Sequence, residues 1–179
     1  MHLLRIYLPL VGWFGLYKIA WLSTVYAALS GYPNWAAIPM LAWSVAWIYA
    51  QEKPNANTLI AFYATMYGAI ADSLLVELHI FSFSFPTNSP LPSPLWMISL
   101  WFGFGALIHE CFRRLYSHLF LSALIGGVGG AFAYWGGVQM NALTIETSNS
   151  IFMLSIGTEW AIAFPFLLLM SKKIHIPQH

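Results

Sequence analysis

Three ionisable residues, Lys18, Asp72 and Glu159, each stand inside a long apolar stretch of the sequence. If such a stretch crosses a lipid bilayer, each charge costs about 2.5–3.5 kcal/mol at the centre and needs a partner or a function. A structural ion pair is one account, with the spare carboxyl group kept neutral by burial. A proton relay, or a polar pocket for a headgroup or small substrate, is the other. The residue types alone leave both accounts open.

Tryptophans accumulate around the same depth of these stretches. Trp and Tyr also collect in belts at membrane interfaces, but the deeper tryptophans need a partner for the indole N–H group. We therefore predict an apolar cavity with tryptophan walls, a floor of carboxyl groups and the proline-rich connection 85–95 as a lid. The alternative is a closely packed bundle whose core the tryptophans fill. The residues predicted to line the pocket are Lys18, Asp72, Trp101, Trp135, Glu159 and Trp160.

The remaining reactive side chains predict no catalytic centre. Cys111 is the single cysteine, which excludes an internal disulfide and a cysteine-cluster metal site. His109 is two residues away, and residues at that spacing do not face each other on a helix. Asp72 and His79 would lie about 10 Å apart along a helix, too far to share one metal ion. We predict no metal and no cofactor, and catalytic residues cannot be assigned.

The composition places these residues in a membrane. Hydrophobic residues make up 59% of the 179 residues and charged residues 7%, whereas typical soluble domains have about 25% charged residues. So few charges cannot cover a water-exposed globule of this size. The net charge of +1 leaves no basic patch for nucleic acid, which excludes that partner. The sequence therefore predicts an integral membrane protein, with membrane lipids as its first partners.

Six apolar segments are long enough to be considered as membrane spans, since a helix needs about 20 residues to cross. Turn signals and prolines separate the segments, notably at 31–34, 53–55 and 86–94. We predict an all-α fold, a single domain over residues 1–179 that forms a bundle of six transmembrane helices. The spans are expected roughly at 6–29, 34–50, 56–82, 93–113, 116–138 and 150–171.

The basic residues predict the orientation of the bundle. They precede span 1, lie in the connections between spans 2 and 3 and between spans 4 and 5, and follow span 6. Six of the seven basic residues lie there: Arg5, Lys53, Arg113, Arg114, Lys172 and Lys173. Because such loops face the cytoplasm, we predict that both termini are cytoplasmic.

Span 5 carries small residues at four-residue spacing, namely Ser122, Gly126 and Gly130. Small residues let helices approach closely in lipid. We interpret this stripe as packing within one protomer, and a homodimer through span 5 is the alternative.

Four stretches of the chain resemble a family of small, six-span bacterial inner-membrane proteins that is catalogued as having unknown function. They are residues 17–21, 71–74, 90–101 and 129–136, which together thread nearly the whole chain. The resemblance implies the six-span fold, a location in the bacterial inner (cytoplasmic) membrane and a loose association with membrane-lipid modification. It implies no activity. The family tends to carry an amide where this chain has Lys18.

Three functions are compatible with these features. The leading hypothesis is a protein that binds or translocates a lipid or another hydrophobic small molecule in the mid-membrane pocket. The second is an intramembrane enzyme acting on acyl chains, with Asp72 or Glu159 in acid–base work. The third is a membrane scaffold that holds a soluble partner through the basic loops. Whether the protein is an enzyme stays open at this point.

Overall fold

The computed structural model describes residues 2–85 and 90–175, with side chains from residue 12 onward. Six helices dominate the fold, as predicted. They are α1 (His2–Leu29), α2 (Ile38–Tyr49), α3 (Pro54–Glu77), α4 (Leu95–Phe112), α5 (Leu119–Gln139) and α6 (Asn149–His175). A 3₁₀ turn, Arg113–Leu115, follows α4. Two short strands, β1 (Phe81–Phe83) and β2 (Leu143–Ile145), complete the described elements.

Four helices in the described part of the chain are long and apolar enough to cross a membrane: α3, α4 with its 3₁₀ turn, α5 and α6. The predicted segment 34–50 contains a shorter helix than expected. Residues 33–37 form turns, and α2 has only 12 residues. At about 1.5 Å per residue, α2 is about 18 Å long, less than the bilayer core of about 30 Å.

The two strands tie together connections that the sequence predicted only as non-helical. β1 pairs antiparallel with β2, with Ser82 opposite Thr144. α3 ends at Glu77, short of the predicted limit at residue 82, and His79 takes a left-handed conformation with φ of 56°. The alternation of Phe and Ser that follows is typical of a half-buried strand. The strand pair closes one end of the bundle, which we call the strand end.

Lys53 and the pair Arg113 and Arg114 lie in the connections at the opposite end, which we call the basic end. Along the helices between the two ends, large apolar side chains face outward. The exposed fraction is 86% for Phe120 and 72% for Leu154. Apolar exposure on this scale fits a surface that lipid covers.

The small residues of α5 pack against α6 within the protomer. A Cβ atom added at Gly130 would lie 2.1 Å from the Trp160 ring, and one at Gly127 would lie 2.9 Å from the Gly157 carbonyl oxygen. Both distances are too short for any side chain, so these glycines are what allow the two helices to touch. The homodimer through span 5 stays a prediction.

Candidate functional site

A cavity of about 360 Å³ lies between α1, α4 and α5, with α6 behind it. α1 packs against α2 and α4, whereas α5 packs against α6. The cavity therefore occupies the place where α1 and α5 face each other across α4. Its volume falls within the range of about 300–1,000 Å³ that small-molecule sites occupy.

The α5 wall of the cavity is bare backbone. Gly129 and Gly136 both line the cavity, and a Cβ atom added at either would meet nothing within 4 Å. They are seven residues apart and so share one helical face, with Ala133 between them. At the neighbouring Gly130, the Trp160 ring occupies the space that a side chain would need. Glycine thus serves two purposes on α5: contact with α6 on one face and open space on the other.

The wall formed by α4 and α6 is aromatic and rigid. The rings of Trp101 and Trp160 stack with centroids 4.5 Å apart and planes 15° apart, and Phe104 meets Trp160 edge-on at 4.9 Å. All three line the cavity. Such aromatic pairs add about 0.5–1.5 kcal/mol each beyond the area that they bury. The wall offers a large apolar surface that keeps its shape.

Asp72 holds this wall from behind. The α3 residue is fully buried, with an exposed fraction of 0%. Its Oδ2 atom accepts a hydrogen bond from Trp101 Nε1 at 2.9 Å, and its Oδ1 atom accepts one from the Tyr134 hydroxyl. Trp101 and Tyr134 line the cavity, but Asp72 does not. One carboxyl group therefore fixes wall residues from both α4 and α5.

Glu159 lies behind the same wall. Asp72 and the Tyr67 hydroxyl are its polar neighbours. Both carboxyl oxygens of Glu159 are buried, and neither makes a hydrogen bond of normal geometry to a described residue. A charged carboxylate is costly in such a place. The predicted floor of two carboxyl groups is thus a layer beneath the wall, separated from the cavity by Trp101 and Trp160.

Lys18 lies apart from both carboxyl groups. Its side chain is exposed and lines the cavity, with the ammonium nitrogen 5.6 Å from the Phe14 ring centroid and 5.9 Å from that of Tyr17. Among the described side chains, an ion pair joins His79 and Glu146, and none is found between Lys18 and either carboxyl group. The structure therefore does not show the predicted ion pair between Lys18 and Asp72 or Glu159.

Of the six predicted pocket residues, the structure brings three to the cavity surface: Lys18, Trp101 and Trp160. Trp135 is half-buried and does not line the cavity, because its neighbour Tyr134 takes that face of α5. The predicted lid, 85–95, includes residues 86–89, which lie outside the described residues. The described part of the strand end contributes Trp96 and Leu143 to the lining.

A second polar cluster, which the sequence did not predict, lies near the basic end. The His109 and His175 rings stack at 3.7 Å with planes 8° apart. The Tyr116 hydroxyl lies 2.9 Å from His109 Nδ1 and 2.7 Å from Ser171 Oγ, and His175 Nε2 lies 2.9 Å from Asn57 Oδ1. The cluster joins α3, α4 and α6. The two histidines are distant in sequence. The one feature of the sequence that could have indicated their stacking was that both lie near the same end of the bundle.

Burial raises the pKa of the Tyr116 hydroxyl, although the hydrogen bond with Ser171 lowers it in part. In the described residues, no three His, Cys, Asp or Glu side chains come close enough together to hold a metal ion. The hydrogen bonds of the cluster link α3, α4 and α6 at the basic end.

Four long apolar helices, α3 to α6, indicate an α-helical, multi-pass membrane protein. Within that class, the chain belongs to the DUF2878 family of proteins of unknown function, whose pattern matches residues 10–166. The predicted resemblance to a family of unknown function is thereby confirmed. No curated protein and no solved structure matches the chain.

Proposed function

We propose that the protein binds or translocates a lipid or another hydrophobic molecule in the cavity between α1, α4 and α5. The bare face of α5 carries this proposal. Gly129 and Gly136 leave space that no described atom fills, whereas Gly126, Gly127 and Gly130 pack closely against α6. An apolar cavity within a bilayer is accessible to the acyl chains around it.

The length of the cavity supports an acyl chain as the occupant. Its lining on α5 extends from Ile125 to Gly137, which is about 18 Å at 1.5 Å per residue. Half of a bilayer core is about 15 Å. The cavity therefore has the length of one chain in one leaflet, and its aromatic and glycine lining offers few polar groups.

The setting that we propose is the bacterial inner membrane, crossed six times with both termini in the cytoplasm. The arrangement of basic residues supports the orientation, because Lys53, Arg113 and Arg114 share one end of the bundle. α2 would cross together with the turns at 33–37 that precede it. A short span of this kind is accommodated by local thinning of the bilayer.

Native mass spectrometry of the purified protein tests this function. Gly129→Leu and Gly136→Leu, singly and together, place side chains in the open space. We expect wild type to retain a lipid and the double variant to lose most of it. The matched control is Gly12→Leu with Gly15→Leu, since both glycines have open space around them and neither lines the cavity. Equal retention in all variants, or no retained lipid in wild type, would contradict the proposal.

A further inference from the structure

We propose that the ligand carries an anionic headgroup, a carboxylate or a phosphate, which pairs with Lys18 in the lining of the cavity. This inference rests on the proposed function, because it names the chemical class of the molecule that the cavity holds. Its basis is the set of polar side chains in the cavity wall. They provide hydrogen-bond donors and a positive charge but no free hydrogen-bond acceptor of comparable strength.

The charge at the cavity comes from one side chain. Of the described residues that line the cavity, Lys18 alone carries a formal charge, and no Asp or Glu is among them. The ammonium group lies over the faces of Phe14 and Tyr17. Cation–π contacts compensate in part for lost hydration. They leave the charge unneutralised, and an apolar setting makes an unneutralised charge costly.

Buried hydrogen-bond donors point to the same class of ligand. The indole Nε1 atoms of Trp96 and Trp160 are buried and have no hydrogen-bond partner among the described residues, and both side chains line the cavity. An indole N–H group can only donate. The strongest acceptor near the wall, Asp72, is already bonded to Trp101 and Tyr134. A ligand with acceptors, such as carboxylate, phosphate or ester oxygens, therefore complements this donor-rich wall better than a ligand with donors alone.

Four brominated amphiphiles with the same chain test the headgroup. They are a dibromo fatty acid, the matching alcohol, the matching amine and a phosphatidic acid with dibromo chains. Each is titrated into the purified protein in a neutral detergent, and quenching of tryptophan fluorescence reports binding next to Trp101 and Trp160. In wild type we expect the fatty acid to bind about tenfold more tightly than the alcohol, as a charge-assisted contact would give.

Substitutions at Lys18 distinguish recognition of the headgroup from binding of the acyl chain. We expect Lys18→Gln to remove the preference for the acid over the alcohol, and Lys18→Glu to favour the amine. Lys173→Gln, an exposed lysine at the end of α6, should behave as wild type. The phosphatidic acid shows whether phosphate replaces carboxylate as the preferred head.

The failure of this inference differs from that of the proposed function. Equal binding of acid, alcohol and amine to wild type, unchanged by Lys18→Gln, would overturn the headgroup proposal and leave the cavity occupied by a chain. If, for all four amphiphiles, quenching is no stronger than partitioning into the detergent micelle would give, the proposed function and the headgroup proposal are both overturned.

Discussion

Replacement of Asp72 by leucine keeps a side chain of similar size but removes both acceptors that hold the cavity wall. Trp101 Nε1 and the Tyr134 hydroxyl then remain buried without a partner, because both donate to Asp72 in the structure. Asp72→Leu should therefore destabilise the bundle and loosen the two wall residues. Asp72→Asn should do less, since its amide oxygen can accept from Trp101 while its NH₂ group donates to the Tyr134 oxygen.

The size of the effect follows from the number of bonds. In soluble proteins a buried polar group left without a partner costs about 1–3 kcal/mol. Hydrogen bonds between membrane helices average about 0.6 kcal/mol and reach about 1.7 kcal/mol. Two bonds of that kind predict a loss of about 1–3 kcal/mol for Asp72→Leu. For Asp72→Asn we expect less than about 1 kcal/mol, because the bond from Trp101 is kept and the bond between positions 72 and 134 is reversed in direction instead of lost.

Unfolding by SDS from mild detergent micelles, followed by far-UV circular dichroism, measures these differences. Ser73→Ala is the matched control on the same helix, since Ser73 Oγ accepts only one bond among those described, from the Ser93 backbone N–H at 3.2 Å. A double-mutant cycle between Asp72→Leu and Tyr134→Phe isolates one bond and should give about 0.6–1.7 kcal/mol.

Two results would refute this reasoning about Asp72. One is Asp72→Leu unfolding at the same SDS fraction as wild type. The other is a coupling energy near zero in the cycle with Tyr134→Phe, which would mean that the hydroxyl and the carboxyl group do not depend on each other. A loss for Ser73→Ala as large as for Asp72→Leu would also contradict the special position of the carboxyl group.

Three further predictions concern topology, glycine packing and pH. In a cysteine-free background on intact spheroplasts, an impermeant thiol reagent should label Thr144→Cys and spare Gln51→Cys; the reverse pattern would contradict cytoplasmic termini. Gly130→Ala should destabilise the bundle by about 1–3 kcal/mol, since its Cβ would overlap a tryptophan ring. Gly129→Ala should instead be neutral or stabilise the bundle by up to about 1 kcal/mol. SDS unfolding compares the two variants, and equal effects would refute the different packing of the two faces of α5. Because burial raises the pKa of Tyr116, the folded protein keeps that proton at a pH where the unfolded chain loses it. The resulting stabilisation is present below the ordinary tyrosine pKa of about 10 and is lost as pH rises through the pKa of Tyr116 in the folded protein. Tyr116→Phe should therefore lose less stability than wild type between pH 9 and about 11. An identical pH profile for the two proteins would exclude this contribution of Tyr116.

The sequence by itself determined the class of the protein and its helices. The low charge content and the long apolar stretches require lipid around the chain, whatever the details of packing. Prolines and turn residues place the helix ends, because they remove backbone hydrogen bonds or favour non-helical conformations. The burial expected of Asp72 follows from the same physics, since a carboxyl group facing lipid without partners is too costly.

Tertiary structure alone decided which residues share a site. Hydropathy gives the depth of a residue along its helix but not the rotation of the helix or the identity of its neighbours. For that reason Lys18, Asp72 and Glu159 looked equivalent in sequence, although Lys18 faces the cavity and the two carboxyl groups lie behind its wall. Because the rotation of α5 was unknown, Trp135 was predicted to line the cavity, whereas in the structure Tyr134 lines it.

Contacts between distant segments were equally hidden. The pairing of β1 with β2 and the stacking of His109 on His175 each join residues from different connections or helices. On α5, a Cβ atom added at Gly129 or Gly136 would meet nothing within 4 Å, and sequence cannot separate these two glycines from those that touch α6. A glycine looks the same in sequence whether a helix or a cavity lies beside it, so only the packed bundle assigns its role.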